Sequence, residues 1–250
     1  MVTLEETVSI VRNLGITKVH KRFNEKMILS IIAGAAIAFG YITYFRTAAF
    51  VGGGLGIILG AAFFPMGLMI VLMVGGELLT GNMMVVGTAW LHKDVSTKEL
   101  LLNWLHITVG NLIGATLIAL VYGFYMGSVD VSSALVQDAV LLKMTDTPIQ
   151  MIVSGIGCNI FVAMSVWMYL SAKDGFLKFI AIWFPITVFV ILGFQHVVAN
   201  MFVLVLGLGT NTITFTQYLV NIVNVFIRNA LGGVIFVGLL YSLVAGSLKQ

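Results

Sequence analysis

The sequence predicts an all-α membrane protein of six transmembrane helices in an inverted 3+3 repeat, with the second and fifth helices broken. Three observations predict it. Of 250 residues, 60% are hydrophobic and 9% charged, with 27 Gly besides. A soluble domain has about 25% charged residues, so there is too little polar surface here to coat a water-soluble globule, and a soluble enzyme is excluded. Six apolar regions match the roughly 20 residues that a spanning helix needs. Two short motifs recur 118 residues apart.

The elements follow in order. Residues 1–26 carry Arg12, Lys18, Lys21, Arg22 and Lys26. No short apolar core and small-residue cleavage site precede these charges, so they are not a signal peptide. Leu4, Val8, Val11 and Leu14 recur at helical spacing and predict a helix over 3–16. It lies along the cytoplasmic interface, or it packs on a partner or frays. The first span covers about 27–45. The second region, about 50–90, is too long for one span and is interrupted by Gly75, Gly76, Glu77, Thr80, Gly81 and Asn82. The third covers 100–126 and the fourth 148–170. The fifth starts near 179 and holds Gly193, Gln195 and His196 in its middle; the sixth covers 218–245. The chain is thus one domain, 1–250, with a first repeat over 27–130 and a second over 140–247.

Charge sets the orientation. Of 13 basic residues, the N-terminal five join Lys93, Lys98, Lys173, Lys178 and Lys249 on one side, against Arg46 and Lys143 on the other. Basic residues favour the cytoplasmic side, which puts both termini in the cytoplasm and requires an even number of spans. Arg228 sits within the sixth region and must snorkel or find a partner. A net charge of +3 is too weak to suggest nucleic acid. The single Cys158 excludes a disulfide framework and a Cys-rich metal site, and no metal or cofactor is implied.

The repeat points to function. Gly75 to Met83 resembles Gly193 to Met201, and at the same spacing Gly110 to Ala115 faces Arg228 to Gly233. With three spans per unit, the second copy starts from the opposite side of the membrane. Inverted repeats with broken helices mark transport proteins. Backbone groups freed at a break cannot face lipid, so both breaks flank a pathway near the midplane. The half-helices that restart there carry positive partial charge at their N-termini, which favours an anion.

The polar residues near the breaks supply the chemistry. His196 lies mid-span, where an ionisable group is costly and therefore a functional candidate. A neutral imidazole donates a hydrogen bond, and an imidazolium balances an anion or hands it a proton; a buried His bonded to a carbonyl is the alternative. Thr80 can donate to an anion or to His196. Asn82 and Asn200 suit freed backbone groups better than a ligand. Glu77 reads as a cap on a half-helix. Asn159 is a pathway donor or an interhelical bond. Lys143 attracts anions to an outer mouth or, without other information, is solvated in its loop. Cys158 reads as a small packing residue, and His20, His92 and His106 as unspecific. Gly52, Gly56 and Gly60 lie four apart and let helices approach.

These motifs resemble the formate/nitrite transporter family. The stretches Gly76-Glu77-Leu78-Leu79-Thr80-Gly81-Asn82 and Gly193-Phe194-Gln195-His196-Val197-Val198-Ala199-Asn200-Met201 carry the resemblance. Asn103-Trp104, Gly110-Asn111-Leu112-Ile113-Gly114, and Asn159 before Val166-Trp167-Met168 also fit. The resemblance implies an aquaporin-like protomer, a homopentamer with one pore per subunit, and passive or proton-coupled transport of a small monovalent anion across the cytoplasmic membrane. Formate comes first, then nitrite and hydrosulfide. It makes His196 the central pore histidine and Thr80 its hydrogen-bond partner. Phe64, Leu68, Leu78 and Phe189 form the constrictions, and Lys143 and Asn159 lie along the anion route; Asn82 and Asn200 are counted with the pathway from their place at the breaks. Gln195 stands where several members have Glu. An aquaporin-type channel for a neutral solute shares the architecture but lacks the paired Asn-Pro-Ala signature. An intramembrane enzyme lacks Asp pairs, His clusters or nucleophile motifs.

Overall fold

In lipid the backbone must satisfy its own N–H and C=O groups. The computed structural model, which describes residues 1–248, accordingly contains helices and turns and no strand among those residues. Lys249, counted above with the cytoplasmic cations, lies outside the described residues. The helical segments are α1 Leu4–His20, α2 Phe23–Val51, α3 Gly53–Gly75, α4 Leu79–Leu91 and α5 Thr97–Tyr125. They continue with α6 Ala134–Leu142, α7 Pro148–Ser171, α8 Gly175–Ile191, α9 Val197–Gly209 and α10 Phe215–Val244.

Five of these, α2, α3, α5, α7 and α10, are long and apolar enough to cross a membrane, and α8 and α9 are shorter apolar helices. They fall on the six expected regions in order. The second region is divided between α3 and α4, and the fifth between α8 and α9. Helix ends set the boundaries. Thr3, Ser96, Thr147 and Thr214 each open a helix with a capping box closed by Glu6, Glu99, Gln150 and Gln217, which satisfies N–H groups that the helix cannot. Between α3 and α4 the chain leaves the helix at Gly75, whose φ of 123° suits glycine. Between α8 and α9 it does so at Gly193, with φ 69°.

Small residues bring the helices together. A Cβ added to Gly56 would lie 2.7 Å from the Ala48 carbonyl oxygen, and one on Gly60 2.7 Å from that of Tyr44, so α2 and α3 touch along these two. Gly52 departs from the expected packing face: it forms the turn between the helices, with open space around it.

Two short helices were read differently from sequence. α1 runs beyond the predicted 3–16, and its Val8, Val11, Gly15 and Val19 are buried. Gly15 meets Val85 of α4, where a Cβ would lie 2.6 Å from the backbone oxygen. α1 therefore packs on a partner, the alternative left open above. α6 was not expected. Its Val136 and Val140 are buried, and Val140 closes on Gly207 of α9 as α1 closes on α4.

Candidate functional site

Each break is held by an asparagine. The Leu79 N–H donates to Asn111 Oδ1 at 2.9 Å, and Asn111 Nδ2 donates to the carbonyls of Ser30 (2.7 Å) and Glu77 (2.9 Å). In the other half the Val197 N–H donates to Asn229 Oδ1 at 2.9 Å, and Asn229 Nδ2 donates to the carbonyls of Gly155 (2.7 Å) and Gln195 (2.9 Å). One amide side chain thus satisfies the first free N–H of a half-helix and the last carbonyl of the break before it.

A second layer surrounds the first. Asn82 Nδ2 donates to Glu77 Oε2 (2.8 Å) and Asn103 Oδ1 (3.1 Å), while Asn200 Nδ2 donates to Gln195 Oε1 (2.8 Å) and Asn221 Oδ1 (2.8 Å). Asn103 then donates to the Lys18 carbonyl (3.3 Å) and Asn221 to the Lys143 carbonyl (2.8 Å). Asn82 and Asn200 therefore bind side chains, not the freed backbone expected for them. That task falls to Asn111 and Asn229, because these project from neighbouring helices straight onto the break.

His196 and Thr80 meet between the breaks. His196 is the N-cap of α9 and is 2% exposed; Thr80 is buried in the first turn of α4. His196 Nε2 lies 3.0 Å from Thr80 Oγ1, and Nδ1 accepts from the Ala199 N–H at 3.0 Å. This pattern assigns the tautomer. Nδ1 accepts, so the proton of the neutral ring sits on Nε2 and points at Thr80. The Thr80 hydroxyl is left with its own hydrogen to donate. The bond also joins the first turns of two half-helices, where positive partial charge collects.

Apolar side chains enclose this pair. Phe64, Phe189, Leu68, Leu78 and His196 line a chamber of about 10 Å³. The Phe189 ring stacks on the imidazole at 5.8 Å, and Phe64 meets Phe189 edge-on at 5.9 Å. Leu68 and Leu78 also line a much larger cavity of about 300 Å³, together with Lys18, Lys21 and Glu77. The two leucines are thus shared by cavity and chamber, whereas Phe64 and Phe189 line the chamber alone.

Cations flank the chamber. Lys143, the residue that ends α6, is 6% exposed, and its carbonyl accepts from Asn221. It is not the solvated loop residue of the alternative reading. Its ammonium makes no hydrogen bond or ion pair among the described residues. Burial pushes it below the ordinary lysine value, and Asp146 acts in the opposite sense. At the corresponding place in the first half, Lys18 is ion-paired with Glu77 at 2.8 Å, and Lys21 reaches the same carboxylate at 3.4 Å. Glu77 does not cap α4, whose N-cap Leu78 has no side-chain bond; two ammonium groups claim it first. Gln195 instead donates to Asp146 at 2.8 Å.

Asn159 is tied into the structure. Its Nδ2 donates to the Asn229 carbonyl at 2.6 Å, and its Oδ1 is buried without a partner. Of the residues singled out from sequence, His196, Thr80, Phe64, Phe189, Leu68 and Leu78 come together in one place. Lys143, Asn159, Asn82 and Asn200 do not line that chamber. Lys18, Lys21, Asn111 and Asn229 were missed.

A family model described as formate/nitrite transporter matches residues 5–243. An uncharacterized transporter of Bacillus subtilis (strain 168) is 39% identical over 232 residues, covering 91% of this chain and 87% of its own. A formate channel of Bacillus thuringiensis is 35% identical over 242 residues, covering 95% and 93%. Among solved structures, a pentameric formate channel with formate bound matches with a TM-score of 0.74 and 28% identity over 89% of this chain and 97% of that one.

Proposed function

The chain belongs to the formate/nitrite transporter family, and on that premise we propose that it carries formate through a pore centred on His196, one pore in each subunit of a homopentamer. It is a multi-pass membrane protein of a transport family, not an enzyme. The observation that carries the proposal is the 3.0 Å bond between Thr80 and His196 inside an apolar chamber. The pentamer is supported by the similar pentameric channel. A cytoplasmic position for both termini is supported by the distribution of Lys and Arg. An inverted repeat within an aquaporin-like protomer is supported by the paired asparagine networks.

The residues divide the work. Lys18 and Lys21 outweigh the single carboxylate of Glu77 at one mouth, and Lys143 stands unpaired towards the other. Both concentrate a small monovalent anion. At the leucine and phenylalanine walls a bare charge is expensive. Between them the Thr80 hydroxyl donates to the anion while His196 Nε2–H holds the Thr80 oxygen. A proton taken up by His196 at Nδ1 would face the Ala199 N–H donor to donor. The charged ring can give its Nε2 proton to the Thr80 oxygen while that hydroxyl gives its own hydrogen to formate, and neutral formic acid crosses the next wall at lower cost. Asn159, Asn82 and Asn200 keep both half-helices in place along this route. Nitrite and hydrosulfide are the alternative cargoes.

The test is labelled formate uptake into proteoliposomes at two external pH values, for wild type and His196→Ala, with nitrite and hydrosulfide as competitors. Saturable uptake lost in the variant is expected, and the competitor ranking names the preferred anion. Uptake of none of the three by intact protein would overturn the proposal, and osmotic swelling without any anion would favour a neutral solute.

A further inference from the structure

α10 carries a charge in its middle. At the repeat spacing, Arg228 stands where the first half has Gly110. Gly110 is pressed against Ser30, whose side chain fills the space that a Cβ would need. Opposite Arg228 the partner helix has Gly155 instead, and a Cβ there would lie 2.7 Å from that of Arg228. The small residue has changed helices: α7 gives up its side chain, and Arg228 takes the room. The arginine is built into the packing of α7 on α10.

The chain alone does not satisfy it. Nη2 reaches Asn224 Oδ1 at 3.5 Å, the limit of a hydrogen bond, and Nη1 is sealed within the protomer with no partner among the described residues, so an acceptor from outside must be met by the guanidinium's other N–H groups. A guanidinium has five donors. Around it, Val220, Val223 and Ile227 are 54%, 58% and 53% exposed, and Asn224 turns its amide back onto the Val220 carbonyl.

Depth puts Arg228 beyond the headgroups and beyond the water at either membrane surface. α10 has 30 residues, about 45 Å of helix at roughly 1.5 Å per residue. Centred on a hydrocarbon core of about 30 Å, it places the Arg228 backbone roughly 12 Å inside the nearer boundary. An arginine side chain reaches about 7 Å, too short to snorkel from there. Lipid tails offer no acceptor, and a half-satisfied guanidinium facing them is strongly disfavoured. Protein is what remains.

We infer that the face of α10 formed by Val220, Val223, Asn224, Ile227 and Arg228 packs against a second copy of the chain, with Arg228 donating to oxygens of the neighbouring subunit. This rests on the pentamer proposed above. A closed ring presents the same neighbour to every Arg228, and the mixed polar and apolar face suits a helix–helix contact in a membrane.

Native mass spectrometry of the full-length, detergent-solubilised protein tests it. Wild type is expected to run as a pentamer. Arg228→Leu and Arg228→Gln are expected to lower the pentamer fraction about tenfold, the scale of an interface hot spot, with Arg228→Lys in between. A second measurement leaves the arginine in place. Cys158 is buried, so Ile227→Cys can carry the sole nitroxide label, which is expected to be shielded from lipid-dissolved oxygen in the ring and exposed after dissociation. An unchanged pentamer in both variants, or a nitroxide freely met by oxygen in the intact ring, would overturn the contact and leave Arg228 facing lipid. A ring made firmer by Arg228→Leu would also overturn it, pointing to five guanidinium groups crowded on the axis. A wild type that never assembles would overturn the pentamer and the contact together, whereas an intact wild-type ring with unaffected variants overturns the contact alone.

Discussion

Glu77 and Gln195 occupy the same place in the two breaks, yet one is a carboxylate held by two ammonium groups and the other an amide bonded to a carboxylate. Glu77 lies 2.8 Å from Lys18 and 3.4 Å from Lys21, whereas Gln195 lies 2.8 Å from Asp146. Both also receive the same bond from an asparagine, Asn82 or Asn200. Hydrogen bonding is thus shared between the halves, while charge is not.

The first consequence concerns Glu77→Gln. The change keeps an acceptor for Asn82 but leaves Lys18, with 12% of its side chain exposed, without a counter-charge. Removing one partner of a buried pair costs about 3–5 kcal/mol. The thermal midpoint of the solubilised protein is expected to fall, and adding Lys18→Met should restore part of it. A midpoint unchanged in Glu77→Gln would mean that water reaches Lys18 freely.

Asn111→Leu and Asn229→Leu should be comparably harmful. Each strands one buried N–H and two carbonyls, and an unsatisfied buried group costs about 1–3 kcal/mol. Thermal unfolding of the two variants side by side is the check. A harmless substitution in one half would show that its break is held by something else.

Much of this architecture was legible in the sequence. The six apolar regions, both breaks and the 118-residue spacing are there because lipid leaves few ways to satisfy a backbone. The site was less legible. Asn111 and Asn229 were visible as matching letters, but their role depends on which helix lies beside the break. The relation between Lys18 and Lys143 was hidden for a different reason. They are 125 residues apart, not 118, because both helices before the first break are longer and its connections shorter, α2 and α3 having 29 and 23 residues against 24 and 17 for α7 and α8. α6 was missed because its nine residues offer only two buried positions, Val136 and Val140.

Thr80→Val keeps the shape of the side chain and removes its hydroxyl. The His196 Nε2–H then loses the acceptor it has at 3.0 Å, at a cost of about 1–3 kcal/mol. Formate uptake is expected to fall by roughly ten- to a hundredfold, since about 1.4 kcal/mol is a factor of ten. Thr80→Ser should retain most of it. Equal uptake in the valine variant would remove Thr80 from the pathway.

Lys143 gives a pH dependence whose sign can be worked out. Burial lowers its pKa from 10.5, so the ammonium loses its proton at a lower pH than a solvated lysine would. Uptake measured at equal pH on both sides should therefore decline on an alkaline limb that begins below 10.5. Lys143→Arg keeps its charge to higher pH and should move the limb upward. Lys143→Met should lower uptake at neutral pH and lack the limb. A limb unchanged in both variants would assign it to another group.

The chamber beside His196 measures about 10 Å³, while a single water needs roughly 10–15 Å³ on this measure. A file of waters cannot thread it in this conformation. Protons hop along such files, so on the proposed route past His196 this conformation offers them no continuous chain of water. If transport runs past His196 as proposed, a proton crossing by that route has to ride on the imidazole or on the cargo, so many copies of such a protein are compatible with an energised membrane.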